Sequence, residues 1–295
     1  MTGRRRSAAG SAVAVVVILA VGVAAVAGVI WYLSTREPAL TRERCTAVLD
    51  GTAWELSPVQ AQNAALVVGT SVQRGLPARA GTIGVATGMQ ESRLVNIDYG
   101  DRDSLGLFQQ RPSQGWGTTT EIMDPVYATN AFYAGLERVD GWRDLEITVA
   151  AQAVQRSAFP EAYAQHEPLA RTWASSLTGH SPGSLTCELF AVSAEDEPVD
   201  LPARLERDLG VPADAVSSDG PLSQIDAGVL PFESAERSTW AVAHWAVATA
   251  KATGAVEVRA EGLVWTREST VWAPVDRSDP LDVGTVTVTT GTPTP

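Results

Sequence analysis

Residues 79–109 read RAGTIGVATGMQESRLVNIDYGDRDSLGLFQ, and the interpretation of the whole chain turns on this stretch. Its first half has the outline of a helix, with Ile83, Ala86 and Met89 on one side. Gly81, Gly84 and Gly88 lower its helix propensity but let a second helix approach closely. A helix is therefore expected over residues 79–92, which leaves Glu91 in its last turn. From Arg93 to Thr120 the chain is rich in Gly, Asp, Ser and Gln and reads as loop with a short strand pair. Loops carried on a rigid helical frame are where chemistry usually sits.

The flanks continue the helical pattern. Ser57-Pro58 is a cap followed by proline at the first helical position, opening an alanine-rich helix that should reach about Arg74, with Gly75 as its stop. Asp124-Pro125 repeats the signal before a helix to about Val139, and residues 144–156 and 160–177 give two more. The expectation is a mainly-α domain over residues 45–187 with a short β/loop insertion.

Within this frame, Glu91-Ser92, Gly100-Asp101-Arg102 and Gly106-Leu107-Phe108-Gln109 follow one another in order. The set resembles the Glu-Ser and Gly-Leu-Met-Gln signature of lysozyme-like lytic transglycosylases and goose-type lysozymes. Asp124-Pro125 with Ala128-Thr129-Asn130 is similar to a helix start of that superfamily, and residues 150–155, AAQAVQ, stand where those families carry Ala-Tyr-Asn. The resemblance covers residues 56–173. It implies a lysozyme-like fold and cleavage of the β-1,4 bond between N-acetylmuramic acid and N-acetylglucosamine in peptidoglycan.

Breaking a glycosidic bond requires protonation of a poor leaving group, so one carboxyl must remain protonated near neutral pH. Glu91 meets that need. It lies at the negative end of a helix macrodipole with Met89 and Phe108 as apolar neighbours, and both effects raise a carboxyl pKa. The resemblance implies that Ser92 hydrogen-bonds within the site and that Gln109 holds an acetamido group or sugar hydroxyl. Gln152 stands as a substitute for the missing Tyr-Asn pair. Tyr99, Trp116 and Tyr163 are the aromatics expected along a sugar groove. A hydrolase would also need a second carboxylate, for which Asp101 leads and Asp98 and Asp103 follow, whereas a transglycosylase lets the muramoyl 6-hydroxyl attack. Gln110-Arg111 stands where goose-type lysozymes carry an acid. The alternative to an enzyme is a catalytically inactive glycan-binding or interaction protein of a cell-envelope assembly.

The remaining signals set topology and exclusions. Residues 12–33 are uncharged and would rise about 33 Å as a helix, enough to span a bilayer. Arg4, Arg5 and Arg6 precede the run and Trp31-Tyr32 lie near its far end, so a single-pass anchor with a cytoplasmic tail (1–11) and an extracytoplasmic bulk is expected. A cleaved signal peptide, with Ala25-Val26-Ala27 as its small-residue site, is the alternative. Cys45 and Cys187 are the only cysteines and lie on the exported side, where a structural disulfide fits better than a redox or metal site, with two free thiols as the alternative. The net charge of −12 and the lack of a basic face exclude nucleic-acid binding. No metal or cofactor pattern is seen. Asn96, Asp98, Asp101 and Asp103 miss the EF-hand spacing, and His166 and His244 lack metal-spaced partners. No Gly-x-Ser-x-Gly elbow or phosphate-binding glycine loop occurs. The partners implied are the peptidoglycan glycan strand and the cytoplasmic membrane.

Residues 188–202 read as a polar linker to a smaller α+β domain over 203–290, with a frayed tail at 291–295. A helix over 233–253 carries the apolar face of Trp240, Ala243, Val247 and Ala250, and strand-like runs at 256–258, 263–266, 270–275 and 284–290 predict a three- or four-stranded sheet. From Glu188 onward 7 basic residues stand against 18 acidic ones, a balance suited to a basic protein partner.

Overall fold

The structure is a computed structural model that describes residues 42–157, 159, 161–275 and 281–292. The expected tail (1–11) and membrane span (12–33) lie outside these residues. Among the described residues no helix is long and apolar enough to cross a membrane.

The fold begins with a hairpin. Strands β1 (Arg44–Leu49) and β2 (Thr52–Leu56) are joined by Asp50-Gly51, both at positive φ (50° and 75°), as a type I′ turn requires. Strand β3 (Leu185–Glu188) pairs with the other side of β1, giving an antiparallel sheet of order β2-β1-β3. Cys45 and Cys187 face each other across β1 and β3 and are disulfide-bonded. Segments 142 residues apart are thereby closed into one sheet.

This sheet overturns the expectation of a mainly-α domain. Helices pack on two antiparallel sheets of three and six strands, so the architecture is α+β throughout. The strand pair expected between residues 93 and 120 shrinks to a single bridge, Leu105 to Gln110. The β-structure sits instead where an Asp-Gly turn divides two short runs and where a third run returns much later in the chain.

The helical frame follows the caps. Helix α1 (Pro58–Gln73) starts on a capping box in which Ser57 and Gln60 exchange side-chain and backbone hydrogen bonds. Helix α2 (Ala78–Ser92) packs on it so closely that a Cβ at Gly84 would lie 2.6 Å from the Tyr133 hydroxyl and 2.7 Å from Val67. After α3 (Thr119–Met123), Asp124 caps α4 (Pro125–Leu136), and α5 (Ile147–Gln155) and α6 (Glu167–Leu177) complete the set.

Further along, α7 (Leu201–Leu209), α8 (Ala235–Ala248) and α9 (Ala250–Thr253) accompany the second sheet. Its strands are β4 (Val216–Asp219), β5 (Leu222–Asp226), β6 (Ala255–Ala260), β7 (Leu263–Thr266), β8 (Ala273–Pro274) and β9 (Thr285–Thr290), in the order β4-β5-β9-β6-β7-β8. Helix α8 is buried without interruption from Ser238 to Ala248 because it is packed by α6 and β3 as well as by β6. His244, fully buried on α8, bonds the Ser176 carbonyl of α6 through Nδ1 at 2.7 Å. The fully buried Asp208 of α7 accepts from Arg204 Nε at 2.7 Å, Arg207 Nε at 2.8 Å and Trp245 Nε1 at 3.1 Å. A buried carboxylate persists only when its lone pairs are taken up in this way.

Candidate functional site

Helix α2 ends abruptly. Arg93 and Leu94 both adopt the left-handed conformation, and their N–H groups return to the carbonyls of Met89 and Gly88. Glu91 is thus held in the final turn, half-buried, with the helix carbonyls pointing toward its end.

Three segments converge on its carboxyl. The Tyr163 hydroxyl donates to Glu91 Oε1 at 2.7 Å. Gln155, the last residue of α5, also hydrogen-bonds the Glu91 side chain, and its Nε2 donates to the Phe108 carbonyl at 2.8 Å. Burial raises the Glu91 pKa above its ordinary value, while the bonds from Tyr163 and Gln155 act in the opposite direction and are outweighed. Tyr163 is completely buried, and burial together with the Glu91 charge pushes its hydroxyl pKa far up. It therefore remains a proton donor to Glu91 across the physiological range.

Ser92 ties the helix to the loop. Its Oγ donates to the Leu107 carbonyl at 2.7 Å and contacts the Gly88 carbonyl at 3.2 Å, so it positions the segment at 106–109 rather than presenting a free hydroxyl. Phe108 points into the core and stacks on Phe132 with ring centroids 4.6 Å apart. Gln109 folds back on its own loop, with Nε2 near the carbonyls of Tyr99 and Gly106, both at 3.3 Å.

The other expected residues are scattered about this centre. Tyr99 is 69% exposed. Gln152 bonds Ser157 through both ends of its amide, at 2.8 and 2.9 Å, so the amide that meets the acid is that of Gln155. Asp101 projects into solvent with a side chain 92% exposed, and its nearest cation is Arg102 at 4.0 Å. Asp103 is engaged by Arg111 Nε at 2.8 Å and by Ser113, which hold its carboxyl well below the usual range. Among the described residues no cluster of His, Cys, Asp and Glu could hold a metal ion.

Trp116 is partly buried against the core, and its carbonyl accepts from the Tyr127 hydroxyl at 3.2 Å. It lines a cleft of about 730 Å³ whose wall also includes Tyr127, Val154, Gln155, Arg138 and Arg156. Gln155 therefore belongs to both the cleft wall and the hydrogen-bonding shell of Glu91. Sequence reasoning missed Gln155, Arg138 and Arg156. For Gln155 a signal existed, since it lies three residues beyond Gln152 on the same helix, and only the orientation of α5 decides between them.

The sequence matches no protein-family model and no curated protein.

Proposed function

We propose that this protein is a peptidoglycan-cleaving enzyme of the lytic transglycosylase kind, acting on the β-1,4 bond between N-acetylmuramic acid and N-acetylglucosamine with Glu91 as its acid. The observation that carries the reading is a single carboxyl at a helix end, its pKa raised by burial, held by Tyr163 at 2.7 Å and joined to an open cleft through Gln155. A raised carboxyl pKa is what a general acid requires at neutral pH. The exposure of Asp98 and Asp101 and the engagement of Asp103 by Arg111 support a reading in which Glu91 acts without a second carboxylate, which favours internal attack over hydrolysis.

In this mechanism Glu91 gives its proton to the glycosidic oxygen as the C1–O4 bond breaks, and the N-acetylglucosamine end leaves as an alcohol. The resulting carboxylate removes the proton from the muramoyl 6-hydroxyl, whose oxygen bonds to C1 and closes an anhydro ring. The proton returns to Glu91 and no water is consumed. Tyr163 steadies the carboxylate between the two steps. The Cys45–Cys187 disulfide supports an oxidising, extracytoplasmic setting, where peptidoglycan is found.

The test is mass spectrometry of peptidoglycan incubated with the full chain and with its Glu91→Gln variant. Anhydromuramoyl products from the wild type alone are expected. Reducing-end products would assign a hydrolase, and no products with glycan binding retained would leave a binding protein.

A further inference from the structure

The cleft that shares Gln155 with the Glu91 site, though Glu91 itself does not line it, has a charge that the rest of the molecule does not predict. The chain carries a net charge of −12, yet the cleft wall holds two guanidinium groups, Arg138 and Arg156, and no carboxylate. Both arginines are exposed, and neither enters an ion pair among the described residues. Glu137, the acid next to Arg138 in sequence, is drawn away to Arg74. Arg156 caps α5 in the left-handed conformation, at φ 52°, directly after Gln155. The left-handed conformation ends the helix here as it does at Arg93.

The two arginines share the cleft with the aromatic surfaces of Trp116 and Tyr127 and with apolar Val139 and Val154. Aromatic and apolar walls suit the carbon faces of sugar rings, whereas paired guanidiniums suit carboxylates, which they bind through charge-assisted and often bidentate hydrogen bonds. A neutral oligosaccharide would gain no charge-assisted contact from either cation.

We propose that this cleft selects glycan whose peptide substituent carries free carboxylates, with Arg138 and Arg156 as the groups that read them. The inference rests on the glycan-cleavage reading and adds a substrate class to it: acidic, unamidated stems in preference to amidated or bare glycan. Arg138 and Arg156 determine specificity, and Glu91 remains the acid.

Binding and cleavage are measured separately so that the two readings can fail independently. Dissociation constants are determined on the full chain carrying Glu91→Gln, which leaves the probes intact. The probes are a peptide-bearing muramoyl oligosaccharide with free carboxylates, the same compound with those carboxylates amidated, and an N-acetylglucosamine oligomer. The free-carboxylate probe is expected to bind about tenfold or more tighter than the amidated one, with a preference that weakens as salt rises. Arg138→Gln with Arg156→Gln should bring the two constants together, while Arg138→Lys with Arg156→Lys should retain part of the preference because the charge remains. Equal affinity for the free and amidated probes, or a preference that survives removal of both arginines, overturns the proposal. Selectivity without cleavage by the wild type would uphold it and discard the enzyme reading. Cleavage without selectivity would do the reverse, and no binding of any probe would sink both.

Discussion

Tyr163→Phe offers a direct test of how the site is tuned, because it removes one hydrogen bond and leaves the ring in its buried place. The Tyr163 hydroxyl donates to Glu91 Oε1 at 2.7 Å, a bond that favours the ionised carboxyl. A hydrogen bond to a charged group contributes about 1.5 to 3 kcal/mol. Each pH unit of displacement corresponds to about 1.4 kcal/mol. Loss of the hydroxyl should therefore move the Glu91 titration upward by about 1 to 2 pH units. The direction is unambiguous: burial already raises this pKa, Tyr163 opposes burial, and removing the opposition raises it further.

The assay is carbon-13 NMR titration of the glutamate side-chain carboxyls, with the Glu91 resonance assigned by its disappearance in Glu91→Gln. Under the proposed function Glu91 would work in its protonated form, so the alkaline limb of a glycan-cleavage profile should move to higher pH by the same amount even if the maximal rate falls. A resonance whose midpoint stays put or falls would refute the assignment of Tyr163 as the group holding the carboxylate. A merely structural role for Tyr163 would change stability without displacing the limb.

The same burial makes Glu91 a stability liability: its folded pKa lies above the unfolded one, so its protonated form stabilises at low pH and that contribution is lost as pH rises through the folded pKa. Glu91→Gln should accordingly raise the melting temperature at pH 7 and leave it little changed at pH 4, as read by calorimetry. For His244, burial pulls the pKa down to about 4, so stability should fall progressively as pH drops from about 6.5 toward 4, by roughly 3 kcal/mol, and His244→Gln should flatten that slope in urea unfolding. Removing the disulfide by Cys45→Ala with Cys187→Ala reopens a loop of 142 residues, for which chain entropy predicts a loss of about 5 kcal/mol; a loss below about 1 kcal/mol would show that the sheet β2-β1-β3 holds without it. Asp208→Ala strips the shared acceptor from Arg204, Arg207 and Trp245 and should cost about 3 to 5 kcal/mol, with Asp208→Asn costing less because the amide still accepts from Trp245.

The helices were legible because their signals are local. Ser57-Pro58 and Asp124-Pro125 mark helix starts within a residue of where α1 and α4 begin, and Glu91 falls in the last turn of α2 as the spacing indicates. The first sheet was not legible in the same way. Its pairing of β1 with β3 joins residues far apart in sequence, and no periodicity within either four- to six-residue strand announces a partner. Asp50-Gly51 was the one local clue, a type I′ turn signal that a helix-centred reading passed over. Strand β4 escaped because Val216–Asp219 is polar and largely exposed, so its sequence carries no buried face, and β5 because its buried face is Ser223 and Ile225, only one of them apolar. Gln155 rather than Gln152 meets the acid because α5 is rotated to place Ala150, Ala151 and Val154 in the core, a choice made by packing and not by either glutamine.

The site's construction explains why a half-buried acid can be tolerated here. Glu91 comes from the end of α2, Tyr163 from the segment before α6 and Gln155 from the end of α5; the Tyr163 ring is held by burial in the core and Gln155 by its bond to the Phe108 carbonyl, neither of which involves the carboxyl. Helix α2 is clamped between α1 and α6, Ser92 fixes its end to the Leu107 carbonyl, and Gln155 is tied to the Phe108 carbonyl. The surrounding frame therefore sustains the desolvation of one carboxyl, and the geometry does not relax to relieve it. Preorganisation of this kind raises a pKa without a second charge nearby, which separates this site from paired-carboxylate sites, where like-charge repulsion does that work. It follows that substitutions loosening the frame, such as Ser92→Ala, should lower the Glu91 pKa by admitting water before they unfold the domain, and the NMR titration would register that change directly.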